Sequence, residues 1–221
     1  EVQDLTPLQL RMVGRRSLNG AMTVVGDIAQ ATGPFAPHDW SDVLALLPKN
    51  RDATVAELSV GYRIPRQIME LAARLLPTAA PQQTPPTAVR EGDAEPRIIK
   101  TSREQLFAAV AKEARTLVAE LAAGRVGIVC PDNLVDALSS SLESNGVKFG
   151  RAGASALEAT LTVVPVSLVK GLEMDGVVVV EPTDIYESVD AGPRGLYVAL
   201  TRSTQRLVVV HSRELPVELR D

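Results

Sequence analysis

Brief apolar runs alternate with amphipathic stretches along most of the chain. Residues 22–25, 54–60, 97–101, 127–131, 161–166, 177–180 and 207–210 read as strands, because each is short, rich in aliphatic or β-branched side chains and bounded by polar or turn residues. Between them, residues 66–76 place Ile68, Leu71, Ala72, Leu75 and Leu76 on one helical face, and a longer helix turns Leu106, Val110, Leu117 and Leu121 inward. A helix over 133–144 closes at Asn145-Gly146, which suits a left-handed C-terminal cap, and another is predicted around 196–202. Thr6-Pro7 opens a helix through Leu8, Met12 and Val13, and Ser41 is the predicted N-cap of SDVLALL. Residues 77–86 form a Pro/Gln loop. The polar, turn-rich stretch 48–52 marks a domain boundary. The pattern predicts an α/β fold, a mostly parallel sheet with helices on both faces, and no internal repeat.

Composition narrows the function classes. A chain of 221 residues, 45% hydrophobic and 23% charged, is neither collagen-like nor a disordered tail. Its formal charge of −4 leaves no global positive field, so any nucleic-acid contact must be local. One cysteine, Cys130, excludes a disulfide framework, and two isolated histidines, His38 and His211, leave no zinc-ligand cluster. No apolar run reaches the ~18 residues of a membrane span, and the start EVQDLTPL lacks a signal-peptide pattern, so the expected compartment is cytoplasmic. With aromatics at 3% of the chain, platforms for base stacking are few. The acidic opening, with no strand before it, reads as a piece cut inside a larger domain.

The polar residues gather where strands are expected to end. Glu1 to Asp4 would follow a strand outside the chain, Gly26-Asp27-Ile28-Ala29-Gln30 follows the run at 22–25, and Gly61-Tyr62-Arg63 follows the run at 54–60. Lys170-Gly171-Leu172-Glu173 precedes Val177, and Thr201-Arg202 sits in a helix that feeds the last strand. Acids, an amide and two arginines on one rim suit a phosphate chain with its metal and an attacking water. In open parallel sheets the expected place for such a ligand is the carboxyl ends of the strands. No GxxxxGK[ST] loop, GxSxG elbow or GxGxxG turn occurs. Alone, therefore, the chain should not hydrolyse ATP; its parts complete a nucleotide site begun elsewhere.

The series EVQD, GDIAQ, LSVGYRIP, VKGLEMD and LYVALTRS resembles motifs II to VI of the superfamily-one helicases typified by UvrD and Rep. The words GDIAQATGPFAP, PPTAVR and VVVVEPTDI look like the HelD branch, the RNA polymerase-associated helicase-like ATPases. The resemblance implies two RecA-like domains clamping ATP and Mg2+. Residues 1–51 would be the tail of the first and 52–221 the second, with the Walker A loop and the magnesium-binding aspartate upstream. It implies that Glu1 is the general base, that Gln3 couples the nucleotide to the domain interface, and that Asp27 and Gln30 sense the γ-phosphate. Arg63 and Arg202 would stabilise charge on the transferring group, Glu173 would meet the nucleotide sugar, and Gly171 would allow close backbone approach. No residue of this chain is assigned as a metal ligand. Two positions depart from the pattern, Gly61 in place of asparagine and Ser167 near where UvrD-type proteins carry histidine. Between Leu76 and Val166 the inserted domain of UvrD and Rep has no room, which favours the HelD likeness over duplex unwinding.

The implied function is the C-terminal part of a motor ATPase, a monomer without a membrane, that moves on DNA, single-stranded DNA included, or remodels RNA polymerase. The competing classes are a polymerase-binding module without unwinding activity and a conventional 3'–5' helicase. Lys170 is equally consistent with a nucleic-acid contact and with an exposed lysine. Phe35 could stack on a base, whereas Trp40 reads as packed against its helix. Cys130 and Tyr197 read as core, and His38 and His211 as structural or surface residues.

Overall fold

The computed structural model describes residues 1–33, 35–48, 53–152, 159–188 and 192–220. Its strands are β1 (Val60–Gly61), β2 (Thr87–Ala88), β3 (Arg97–Lys100), β4 (Val126–Cys130), β5 (Gly150–Arg151), β6 (Leu161–Pro165), β7 (Met174–Val180) and β8 (Ser203–His211). The helices are α1 (Pro7–Arg16), α2 (Trp40–Leu46), α3 (Arg66–Ala73), α4 (Leu76–Ala79), α5 (Leu106–Leu121), α6 (Val135–Ser144), α7 (Pro182–Tyr186) and α8 (Gly192–Leu200). Six strands form one all-parallel sheet in the order β3-β8-β7-β4-β6-β5, while β1 and β2 pair separately.

The run of valines in β7 explains its central position. Alternate side chains of a strand face opposite ways, and in β7 neither side is wet. Val177 and Val179 join Val129, Val164 and Val209 in a core beneath α3, α4 and α8. Val178 and Val180 join Ile128, Val163 and Val208 beneath α5 and α6. Full burial of such a side chain contributes about 1.5–3 kcal/mol, so helices on both faces are an energetic requirement. The chain travels across the sheet in one direction from β3 through β4 to β5, then returns through β6 and β7 to β8. With right-handed crossovers that reversal sends α5 and α6 to one face and α8 to the other. It also delivers the C-terminal end of α8 to the amino edge of the sheet.

Several boundaries differ from the sequence expectation. Residues 22–25 do not form a strand; Val25 O accepts from Val2 N at 3.0 Å and from Glu1 N at 3.2 Å. Residues 53–60 are exposed, and only Val60–Gly61 pairs, with Thr87–Ala88. Both runs have strand composition, yet a strand exists only where a neighbour satisfies its backbone. The N-cap of α2 is Asp39, whose Oδ1 accepts from Ser41 N at 2.8 Å and Asp42 N at 3.2 Å, so Ser41 lies inside the helix. The helix beginning at Arg66 breaks after Ala73, and α4 takes up the start of the Pro/Gln loop with Pro77 in its first turn. Helix α8 ends at Leu200, leaving Thr201 and Arg202 in the turn before β8.

The predicted caps at Thr6 and Gly146 are present. Thr6 and Gln9 form a capping box, and Gly146 has φ +66°. Residues 2–47 build their own small core from Val2, Leu10, Ile28 and Val43, with Trp40 packed against it. The expected boundary at 48–52 falls mostly on residues 49–52, outside the described ones. Among the described residues no helix is long and apolar enough to cross a membrane.

Candidate functional site

Assembly of the site begins at Gly26. A Cβ there would stand 2.4 Å from Gln3 Oε1 and 2.6 Å from Val2 Cγ1, so only glycine lets the segment 1–4 lie against 26–30. Buried Gln3 uses this closeness. Its Oε1 accepts from Asp27 N at 3.2 Å, and its Nε2 donates to Glu1 Oε2 at 2.6 Å. Asp27 caps the 3-10 turn Ile28–Gln30 by accepting from Ala29 N at 3.0 Å through Oδ1. Its other oxygen accepts from Gln30 Nε2 at 2.7 Å. With its amide nitrogen held by a carboxylate, Gln30 must present its oxygen outward, and Oε1 accepts from Arg202 Nη2 at 3.1 Å. A continuous hydrogen-bonded relay thus runs from Glu1 through Gln3, Asp27 and Gln30 to Arg202.

Arg202 is the electrostatic anomaly of the molecule. It is 3% exposed, yet no carboxylate hydrogen-bonds it among the described residues. Its partners are all neutral: Val198 O at 3.1 Å, Gln30 Oε1, and Leu172 O and Thr201 Oγ1 at the long distance of 3.4 Å. Burial pulls its pKa below the ordinary arginine value and the like charge of Arg63 pulls it further, against the opposing carboxylates of Glu173 and Asp27. An unpaired buried cation costs several kcal/mol in desolvation. An anion arriving at the two loosely engaged donors would recover that cost.

Arg63, in the loop after β1, forms an ion pair with Glu173, just before β7. Both side chains are about half exposed, at 41% and 53%, so the pair is worth at most about 1 kcal/mol and exchanges readily for a better partner. Gly171 holds φ +76° with open space where a Cβ would stand, so a ligand can approach the backbone there. Lys170 is neither free nor fully exposed. Its Nζ forms an ion pair with Asp4 and donates to Gln30 O at 2.7 Å. Arg194, absent from the sequence reading, fastens α8 to α4 and to the segment after Gln30: Nε donates to Ala79 O at 2.7 Å, and Nη1 to Ala31 O at 3.2 Å and Pro37 O at 3.0 Å. The Pro/Gln loop takes part as well, with Gln83 Oε1 accepting from Ala29 N at 3.2 Å.

The structure therefore brings together Glu1, Gln3, Asp27, Gln30, Arg63, Glu173 and Arg202, with Gly171 beside them. It corrects the expected edge. Glu173 and Arg202 stand at the amino ends of β7 and β8, because α8 ends there and carries its terminal polar residues with it. Trp40 belongs to the small core, whereas Phe35 is 65% exposed. Cys130 is buried, and burial pushes its thiol up to about 12. His211 is buried with Nδ1 2.7 Å from Arg213 O, and exposed His38 gives its backbone N–H to Asp42. Ser167 hydrogen-bonds Asp132. Tyr197 is buried as expected, but in the company of the site. Among the described residues no group of three or more His, Cys, Asp or Glu side chains could hold a metal ion.

No family model and no curated protein sequence matches the chain. Among solved structures it is similar to the C-terminal domain of a possible DNA helicase from Lactobacillus plantarum WCFS1, with TM-score 0.58 and 23% identity over 72% of this chain and 92% of that one. A weaker likeness, TM-score 0.39 at 15% identity, joins 66% of this chain to 30% of an arterivirus nonstructural protein 10 helicase in complex with DNA. A third, TM-score 0.38 at 12% identity, joins 54% to 27% of the Sulfolobus solfataricus SWI2/SNF2 ATPase core bound to double-stranded DNA. The chain carries a helicase-type, RecA-like α/β fold.

Proposed function

We propose that this chain is the C-terminal part of an ATP-dependent superfamily-one helicase-like motor of the HelD type, its residues 1–51 ending the first RecA-like domain and 52–221 forming the second. The observation that carries this reading is Arg202, a buried guanidinium whose hydrogen-bond partners among the described residues are all neutral, held by Gln30 where the two parts would meet. The residues fit a triphosphate: one unpaired buried guanidinium, a second held by an exchangeable ion pair, and an open glycine at positive φ. Bound ATP supplies the phosphoryl group and the driving force. Arg63 and Arg202 neutralise its developing charge, Glu173 meets the sugar once Arg63 is drawn away, and Gly171 admits the ligand to the backbone. Asp27 and Gln30 register the terminal phosphate, while Glu1, positioned by Gln3, accepts a proton from the attacking water.

Arg63 provides the direct test. Because its side chain is 41% exposed, Arg63→Ala should leave the melting temperature of the full-length protein essentially unchanged while ATP turnover falls at least about a hundredfold. Turnover near wild type rejects the assignment.

Movement on DNA is the favoured output, with RNA polymerase as the protein partner of this branch. If the grip is on phosphates, DNA affinity of the full-length protein falls by about a thousandfold or more between 50 and 200 mM salt, as for six or more neutralised phosphates. A weak salt response with retained polymerase binding replaces translocation by a protein-surface role.

A further inference from the structure

Sequence alone assigns Tyr197 to the core, and it is indeed 4% exposed. The core explains the ring but not the hydroxyl. Phenylalanine would fill the same space without a hydroxyl, and the Tyr197 oxygen is not among the fully buried polar atoms that lack a partner, so it keeps an opening through which a ligand could meet it. Among the described residues the Tyr197 hydroxyl makes no hydrogen bond, although its backbone carbonyl accepts from Thr201 N at 3.1 Å and Thr201 Oγ1 at 2.9 Å. The neighbouring carbonyl, that of Val198, receives Arg202 Nε. Tyr197 sits five residues before the buried arginine, on the helix that packs against the 3-10 turn carrying Gln30. Three charged groups from other segments act on the phenol: Asp27 at the cap of the 3-10 turn, Arg63 from the loop after β1, and Arg202 from the turn between α8 and β8.

We propose that the Tyr197 hydroxyl donates a hydrogen bond to the terminal phosphate of a bound nucleoside triphosphate and so lets the site distinguish triphosphate from diphosphate. This rests on the nucleotide-site reading above and adds a residue to it. The donor is well suited to the task. Burial, with Asp27, pushes its pKa up to about 12, so it stays protonated across the working pH range. A neutral donor can bond a phosphate oxygen but takes no proton from the attacking water. It also leaves the charge balance of the site to the two arginines, whose own pull on the phenol falls short of offsetting burial.

The test is Tyr197→Phe in the full-length protein, read by equilibrium titration with an imido-bridged ATP analogue and with ADP, and by thermal melting. The expected result is an analogue affinity lowered about tenfold to a hundredfold, an ADP affinity within about threefold of wild type, and a melting temperature no lower than wild type. Unchanged analogue affinity overturns the proposal, and so does an equal loss for both nucleotides or a lower melting temperature, which would assign the hydroxyl a packing role. Arg202→Ala separates the two layers of the argument. If wild type binds the analogue, Arg202→Ala abolishes binding and Tyr197→Phe does not weaken it, this contact fails alone. If wild type binds neither nucleotide, the nucleotide-site reading and this inference fail together.

Discussion

Replacing Arg202 by alanine should lower ATP turnover of the full-length protein by about a thousandfold or more. A thousandfold corresponds to about 4 kcal/mol of lost transition-state stabilisation. Stability should respond in a different way. Among the described residues Arg202 has no anionic hydrogen-bond partner, so its removal relieves a desolvation cost while sacrificing packing and the bonds to Val198 O and Gln30 Oε1. These changes oppose one another, and the melting temperature should move by only a few degrees, each ~1 kcal/mol being worth at most roughly 2–4 °C in a protein at least this long. Arg202→Met keeps most of the volume and should be as stable as wild type or more so, with turnover as low as in Arg202→Ala. Steady-state ATPase assays and thermal melting of the three proteins decide the matter. A variant that loses stability in proportion to activity makes Arg202 a structural residue. Normal turnover removes the proposed site altogether.

How far the chain could be read beforehand depended on where each residue finds its partner. The central strands were legible because Val177 to Val180 can only be buried on both faces, and the long helix because Leu106, Val110 and Leu117 recur on one side. Residues 22–25 and 54–60 have the same local character, but their strand state depended on a neighbour that local pattern does not contain. Among the polar residues, the likeness to known motifs selected Arg63 and Arg202, and the structure joins them to Glu173 and Gln30. Arg194 left no comparable trace. All three of its partners, Ala31, Pro37 and Ala79, accept through backbone carbonyls, which any sequence can supply. Lys170 was ambiguous for a related reason, since its partner Asp4 lies 166 positions away. The carboxyl-edge expectation failed because the polar residues travel with the end of α8 and the turn before β7, both of which enter the sheet at its amino edge.

The largest coupling in the molecule should lie between Gln30 and Arg202. Gln30 is clamped from one side by Asp27, so its amide oxygen is fixed as an acceptor and holds the guanidinium in one orientation. Gln30→Ala removes that hold and leaves Arg202 with the carbonyls of Val198 and Leu172 and the hydroxyl of Thr201. Turnover should then fall about a hundredfold, comparable to the loss of one preorganised donor at a developing negative charge. The informative protein is the double variant. If Gln30 acts by aiming Arg202, adding Gln30→Ala to Arg202→Ala should cost no more than about threefold further, because residues that work as a unit are strongly non-additive. If the two losses multiply, to about a hundred-thousandfold, the amide acts on the nucleotide or the water in its own right. The relay would then be a structural coincidence, and Gln3 and Asp27 would lose their claim to transmit anything to the arginine.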